Sequence, residues 1–246
     1  MSGHSSLTSN LVIGSVGCLA KLFLSCFTHC RVNNLESLLR AIHHRPVHMP
    51  LLTFSNHTST MDDPFLWGIL PPSILFNSSK MRWSLGAEEI LFKNRLFSAF
   101  FGAGQVLPTR RGDGIMQPSV DEALSLMADG RWIHVFPEGR VVPDSSGVAL
   151  GRLKWGIGRL ILEAPTPPLL LPIIHQGFEH IKPYGSLLPR FSRHHNALTV
   201  SVGEPIDSRS WLQDSSLGAH ESARRSALTE RVRLELSKLY LPKTNG

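Results

Sequence analysis

The sequence predicts one α/β domain, a mixed and mostly parallel sheet flanked by helices, preceded by a membrane-associating helix. Alternation carries the first part. From residue 106 onward, short apolar runs alternate with longer amphipathic ones: Val106–Pro108, Val120–Ala128, Trp132–Phe136, Gly156–Ala164, Leu169–Ile174 and Leu198–Gly203. That spacing is the pattern of strands joined by helices that cover both faces of a sheet. Size agrees. A chain of 246 residues, 42% hydrophobic and 18% charged, can bury one sizeable core, and nothing inside it reads as a linker or repeat.

Taken in order, residues 1–10 are polar and expected to be disordered. Leu11 to Phe27 is apolar around Lys21. It is shorter than the ~20 apolar residues of a spanning helix, and no basic signal region or arginine-rich presequence stands before it. A helix packed on the body and a helix lying in the membrane interface both fit. The interfacial anchor is preferred, with Leu11, Val12, Ile13, Leu22, Phe23, Leu24 and Phe27 meeting lipid. The chain then divides into a tail and anchor over 1–30 and a globular domain over 31–246.

Phe65 to Phe76 is a second apolar run, of a length that suits a buried helix or an interfacial segment equally. Ile90 to Phe101 reads as one helix with Phe92, Leu96, Phe97, Phe100 and Phe101 on a broad face, either packed in the core or turned to acyl chains. Ser222 to Tyr240 reads as a docked amphipathic helix with Leu228, Val232, Leu236 and Leu239 on its stripe. The pair Gly156 and Gly158 allows close packing or close approach of lipid.

Charge and cysteine usage narrow the partners. A net charge of +6 and a pI near 9.6 point to an anionic partner. With 8% aromatics, no basic run and no reader motif, nucleic acid is disfavoured and an anionic membrane surface remains. Cys18, Cys26 and Cys30 fall in the first 30 residues with no Cys-x-x-Cys pair, so they staple nothing downstream. His43, His44 and His48 lack completing ligands, and no metal site is expected.

Chemistry concentrates in Ser55-Asn56-His57-Thr58-Ser59-Thr60-Met61-Asp62-Asp63-Pro64, directly after the apolar Leu51–Phe54. An imidazole takes and returns a proton near neutral pH, and a carboxylate on its second nitrogen fixes the tautomer. On one helix, five steps would set His57 and Asp62 roughly 140° apart. They meet only if His57 lies in a strand-to-helix turn and Asp62 in the first helical turn. Ser59 three residues before Asp62 reads as a capping pair, and Pro64 suits a first turn. No nucleophile stands in the motif, so the base would activate a substrate hydroxyl. The plain alternative is a capping or buried histidine.

Three further strand ends carry polar groups. Trp132–Phe136 runs into Pro137-Glu138-Gly139-Arg140, where Gly139 permits close approach and Arg140 suits phosphate. Gln105–Pro108 ends on Arg110 and Arg111 before Gly112. Leu169–Ile174 is a buried strand interrupted by Pro172. The first two, alone, also read as strand ends with solvated charges, and the third, alone, says almost nothing.

In order, His57–Asp62, Arg111, Phe136–Arg140 and Leu171–Ile173 resemble the four motif blocks of the glycerolipid acyltransferase superfamily. Met61–Gly68 and Arg152–Ile161 are similar to the tafazzin family of phospholipid–lysophospholipid transacylases within it, and the likeness runs from about Leu51 to Pro205. The resemblance implies a glycerol-phosphate acyltransferase-like fold over 31–246 and His57 as general base oriented by Asp62. It implies that Arg111, Glu138, Gly139, Arg140 and Pro172 hold the lipid phosphate and glycerol; Arg111 is preferred to Arg110 because Gly112 follows it. It implies no cofactor, phospholipid and lysophospholipid substrates with cardiolipin and monolysocardiolipin among them, and a peripheral, monotopic place on the mitochondrial membrane facing the intermembrane space. An acyl-CoA-dependent acyltransferase, a non-catalytic membrane-binding protein and a metal-dependent hydrolase using His57, Asp62 and Asp63 are the alternatives.

Overall fold

The computed structural model describes residues 6–142, 150–182 and 197–240. The chain opens with helix α1 (Ser6–Phe27), strand β1 (His29–Asn33), helix α2 (Leu35–His43), strand β2 (Leu51–Ser55) and the short helices α3 (Asp62–Trp67) and α4 (Pro72–Leu75). Next come β3 (Trp83–Ala87), α5 (Glu88–Leu91), α6 (Arg95–Ala103), β4 (Val106–Thr109), α7 (Pro118–Ala128) and β5 (Trp132–Val135). After them follow α8 (Gly156–Glu163), β6 (Leu169–Gln176), α9 (Phe178–Ile181), β7 (Ala197–Val202), β8 (Ile206–Asp207), α10 (Arg209–Leu212) and α11 (Glu221–Leu239).

The strands form one sheet in the order β1-β7-β6-β2-β5-β3-β4, with β8 beside β6. β6, β2, β5, β3 and β4 run parallel, while β7 and β8 are antiparallel to β6. The expected mixed, mostly parallel sheet is therefore present. Five parallel strands deliver their C-terminal ends to one edge, where such sheets place ligands. Apolar residues fill both faces. Leu51 and Trp132 pack with α1 to α4, while Leu52, Phe54 and Ile133 pack with α7, α8 and α11.

Pro172 finds a topological explanation. It is buried in β6, paired with Phe54 of β2 on one flank. On the other flank β6 bonds β8 at Leu169–Leu170 and β7 from Ile173 onward. The residue that cannot donate a ladder bond thus sits at the handover between two neighbours. Buried there against Gly203, it has no access to lipid, which corrects the substrate-binding role expected for it.

Several sequence expectations change. The first helix begins at Ser6, so residues 6–10 are helical where disorder was expected; residues 1–5 lie outside the described residues. Leu7–Phe27 has a mean hydropathy of 1.7 and is long and apolar enough, by length and composition alone, to cross a bilayer. One flank of it, however, packs on the body. Ile13, Ala20 and Leu24 are buried, and Lys21 donates to the carbonyls of Gly68, Ile69 and Leu70 at 3.1–3.4 Å, capping the far end of α3. Ile13 and Leu24 therefore face the core, correcting their expected lipid contact, whereas Leu7, Leu11, Leu19 and Leu22 stay 55–67% exposed. Val12, Phe23 and Phe27 are half-buried, and β1 already begins at His29.

The run Ile90–Phe101 is two helices, not one. α5 stops at Leu91, and Asn94 caps α6 by accepting from the Phe97 N–H at 3.0 Å. Leu96, Phe97 and Phe100 then lie outside, 42–76% exposed. The C-terminal stripe behaves as expected: Leu228, Val232 and Leu236 are buried, and α11 crosses α8 so closely that a Cβ on Gly158 would stand 2.2 Å from the Arg225 carbonyl.

Candidate active site

The site grows from the end of β2. The chain leaves the sheet at Ser55, turns through residues 56–61 and enters α3 at Asp62. This is the strand-turn-helix arrangement that lets residues five apart meet, and the His57 Nδ1 lies 2.8 Å from Asp62 Oδ2. The same oxygen accepts the backbone N–H groups of Thr58 at 2.7 Å and Ser59 at 2.9 Å. Asp62 therefore caps backward onto the turn, the reverse half of a capping box. Ser59 does not cap Asp62 in return. Its hydroxyl accepts from Met61 N–H at 3.3 Å and donates to the Lys182 carbonyl at 3.1 Å, so the cap read from sequence operates in one direction only.

A carboxylate accepts only, so the neutral His57 ring carries its proton on Nδ1. That leaves Nε2 as a basic nitrogen with no partner among the described residues. Asp62 is fully buried, the His57 side chain is 21% exposed, and Phe136 stacks on the ring at 4.4 Å and 24°. The imidazole has one edge anchored, one face covered and one nitrogen turned toward solvent or substrate.

The turn after β5 completes the near wall. Val142 N–H donates to the His57 carbonyl at 2.7 Å and Lys154 N–H to the Pro137 carbonyl at 2.7 Å, joining the second motif to the first. Gly139 sits at φ 65, a left-handed conformation that a side chain would strain. Glu138 is 3% exposed. One of its oxygens accepts from Gly151 N–H at 3.1 Å, and the other is buried with no partner among the described residues. Burial pushes its carboxyl up to about 7, against the opposing pull of the Gly151 N–H and of His57. Arg140 is exposed at the rim beside it.

A polar seam runs under this wall. Trp132 Nε1 donates to Thr53 Oγ1 at 2.8 Å, Thr53 Oγ1 meets His134 Nδ1 at 2.8 Å, His134 Nε2 meets Ser55 Oγ at 3.3 Å, and Ser55 donates to the Asn56 carbonyl at 3.2 Å. The last bond fixes every direction. Ser55 spends its proton on a carbonyl, so His134 donates from Nε2 and accepts at Nδ1. Burial pushes His134 down to about 3, so it stays neutral.

Asp63 belongs to a different unit. Burial disfavours its charge, but Arg82 forms an ion pair with it and Trp67 Nε1 donates at 2.9 Å, which together hold its carboxyl below the usual range. It is thereby turned from His57, and among the described residues no cluster of three or more His, Cys, Asp or Glu could hold a metal ion.

Arg110 and Arg111 end β4 on the same sheet edge, but three strands from β2, about 14 Å at ordinary strand spacing. Arg110 pairs with Glu88 at 2.7 Å and Arg111 pairs with Glu89. Both lie on exposed surface, and the structure brings neither to His57. Two residues missed in the sequence do reach the site. Asn56, flanking His57, was in plain view; His175, far along the chain in a buried strand, carried no local signal.

Residues 29–176 match the Acyltransferase family. The chain is 38% identical over 242 residues to the tafazzin of Drosophila melanogaster, covering 95% of this chain and 63% of that protein. It is 42% identical over 204 residues to the N-acylphosphatidylethanolamine synthase of Arabidopsis thaliana, covering 80% of this chain and 70% of that one. The taffazin of Dictyostelium discoideum is 40% identical over 197 residues, 78% of this chain and 67% of that protein. The chain thus spans slightly under two thirds of the Drosophila relative. The crystal structure of the 1-acyl-sn-glycerophosphate acyltransferase of Thermotoga maritima shares the fold, with a TM-score of 0.61 over 96% of this chain and 83% of that one at 20% identity.

Proposed function

The chain belongs to the glycerolipid acyltransferase family, on its tafazzin branch, and from that premise we propose that it is a membrane-associated phospholipid–lysophospholipid transacylase. One observation carries the reading: a buried carboxylate holds Nδ1–H of His57 at 2.8 Å and leaves Nε2 as the base. His57 Nε2 takes the proton of a lysophospholipid hydroxyl as that oxygen attacks the ester carbonyl of a phospholipid donor. The tetrahedral intermediate then expels the donor's glycerol oxygen, which recovers the proton from the imidazolium. Asp62 stabilises the charged ring throughout. Acceptor and donor exchange one acyl chain, and no cofactor is consumed.

Arg140 and the Glu138–Gly139 turn hold phosphate and glycerol beside the base. For Arg111 to join them its guanidinium must leave Glu89. The exposed apolar residues of α1 (Leu7, Leu11, Leu19, Leu22) and α6 (Leu96, Phe97, Phe100) form the lipid-facing side, and the net charge of +6 favours an anionic bilayer. Cardiolipin and monolysocardiolipin are the proposed substrates. The proposed location is the mitochondrial membrane, peripheral and facing the intermembrane space, on family resemblance.

A second reading follows from the 42% identity to a plant N-acylphosphatidylethanolamine synthase: the acceptor is the headgroup amine of phosphatidylethanolamine. Purified protein, a labelled phosphatidylcholine donor and vesicles carrying lysocardiolipin or phosphatidylethanolamine test both. CoA-independent label in cardiolipin supports the transacylase. Label in an amide supports the second reading, and transfer that needs CoA defeats both.

A further inference from the structure

A second imidazole stands 3.6 Å from the Asp62 oxygen that binds His57: the Nε2 of His175, at the end of β6. The mechanism above makes no use of it. His175 is fully buried and stacks on Phe178 at 4.6 Å and 20°. Its Nε2 lies 2.8 Å from the Asn56 carbonyl. A carbonyl only accepts, so the ring proton is on Nε2, and Nδ1 is a buried lone pair with no partner among the described residues. Burial keeps the ring neutral.

Asn56 grips back. Its Nδ2 donates to the His175 carbonyl at 2.7 Å, and its Oδ1 accepts the His175 N–H at 3.0 Å. The residue just before His57 is thus tied to a single residue of β6 by three hydrogen bonds. Its carbonyl also receives the Ser55 hydroxyl. Packing alone gives no reason for a histidine here, since a leucine or phenylalanine would fill similar volume without stranding Nδ1 in the dry interior.

We infer that His175 is a positioning residue of the transacylation site, clamping Asn56 so that the chain enters His57 in one direction and holding a fixed N–H dipole against Asp62. The inference rests on the general-base reading of His57 and Asp62. Asp62 and Glu179 face the ring as carboxylates, and His57 lies beyond Asp62. His175 touches no substrate in this role; it acts through Asn56 and Asp62.

Two amides of similar polarity separate positioning from packing. His175→Gln can place an amide nitrogen near the Nε2 position, and His175→Asn falls one methylene short. Rates are measured with the purified full chain on vesicles carrying phospholipid donor and lysophospholipid acceptor. His175→Gln should keep kcat within about threefold of wild type, and His175→Asn should lose about 10- to 100-fold in kcat with KM for the acceptor nearly unchanged, as small misplacements of a base cost. Equal kcat for the two amides, or a loss confined to KM, overturns the inference. Should His175→Asn fail to fold in a thermal melt, His175→Leu, which fills similar volume but has no N–H for the Asn56 carbonyl, should reproduce the kcat loss; near wild-type kcat there overturns it. His57→Ala on the same vesicles separates the two failures. If that variant keeps its rate, the general-base reading falls and takes the positioning role with it. If it is inactive while the two amides are equal, only the positioning role is lost.

Discussion

Two strand ends on one edge of the sheet carry charged side chains to very different effect. At the end of β2, Asp62 is fully sealed, its Oδ2 collects three N–H groups, and the chemistry of His57 is fixed by that geometry. At the end of β4, Arg110 and Arg111 meet Glu88 and Glu89 with side chains 39–69% exposed. The residue types at both ends suit a phospholipid enzyme. Surroundings separate them. In water an ion pair is screened and contributes about 0–1 kcal/mol, so its partners exchange freely. In a dry pocket every polar contact is directional, and removing one partner strands the other.

The largest test of that contrast lies at β2. Asp62→Asn preserves shape but cannot accept from three N–H groups, and His57→Ala removes the base. Each should lower kcat by ~10²–10⁴-fold in the transacylation assay. A near wild-type rate in either variant would erase the distinction between the two strand ends.

Arg82 tests the same idea without catalysis. It is nearly buried, pairs with Asp63 and donates to the Gly104 carbonyl at 3.1 Å. Arg82→Met should cost about 2–3 kcal/mol in urea unfolding, toward the low end for a broken buried pair because Asp63 keeps a quarter of its side chain in water. Adding Asp63→Asn should recover much of it, and an additive double mutant would show that the pair is not coupled.

Glu138 sharpens the comparison through pH. Its folded-state pKa of about 7 lies above the ordinary 4.5, so the folded protein holds a proton that the unfolded chain releases between those values. Its contribution is fully present below pH 4.5 and is lost as pH rises through 7. Glu138→Gln removes the ionising group and keeps an oxygen for Gly151 N–H. It should be more stable than wild type by about 1–3 kcal/mol at pH 8, with the gain vanishing near pH 4, in melts across that range. A gain independent of pH would contradict the burial argument.

The smallest effects belong to the rim. Arg140→Ala should raise KM for phospholipid about tenfold, the worth of one charge-assisted phosphate contact. Arg111→Ala should change unfolding free energy by less than about 0.5 kcal/mol. If Arg111→Ala destabilises by several times that, the β4 end is not the solvated counterpart it resembles.

Much was legible beforehand because it is local. Continuous apolar runs gave the strands from β4 to β7, and the turn residues around Pro64 gave the entry to α3. The pair His57 and Asp62 was readable because a strand-to-helix turn is the one path that joins residues at that spacing. The failures are local too, where two rules compete. Asn94 prefers to cap rather than continue a helix, and Lys21 looked like a flaw in an apolar helix until the carbonyls of Gly68, Ile69 and Leu70, just past α3, surrounded it.

Sequence by itself therefore determined the α/β class, the strands β2 and β4 to β7 and the two residues of the proposed proton relay, since burial periodicity and turn chemistry are written within a dozen neighbours. Only the folded chain decided that β6 lies beside β2, which brings His175 to Asn56 across 119 residues, gives Pro172 its gap in the ladder and seals Asp62 from water. Strand order is settled by how whole faces pack against one another, and no short stretch of residues carries that sum.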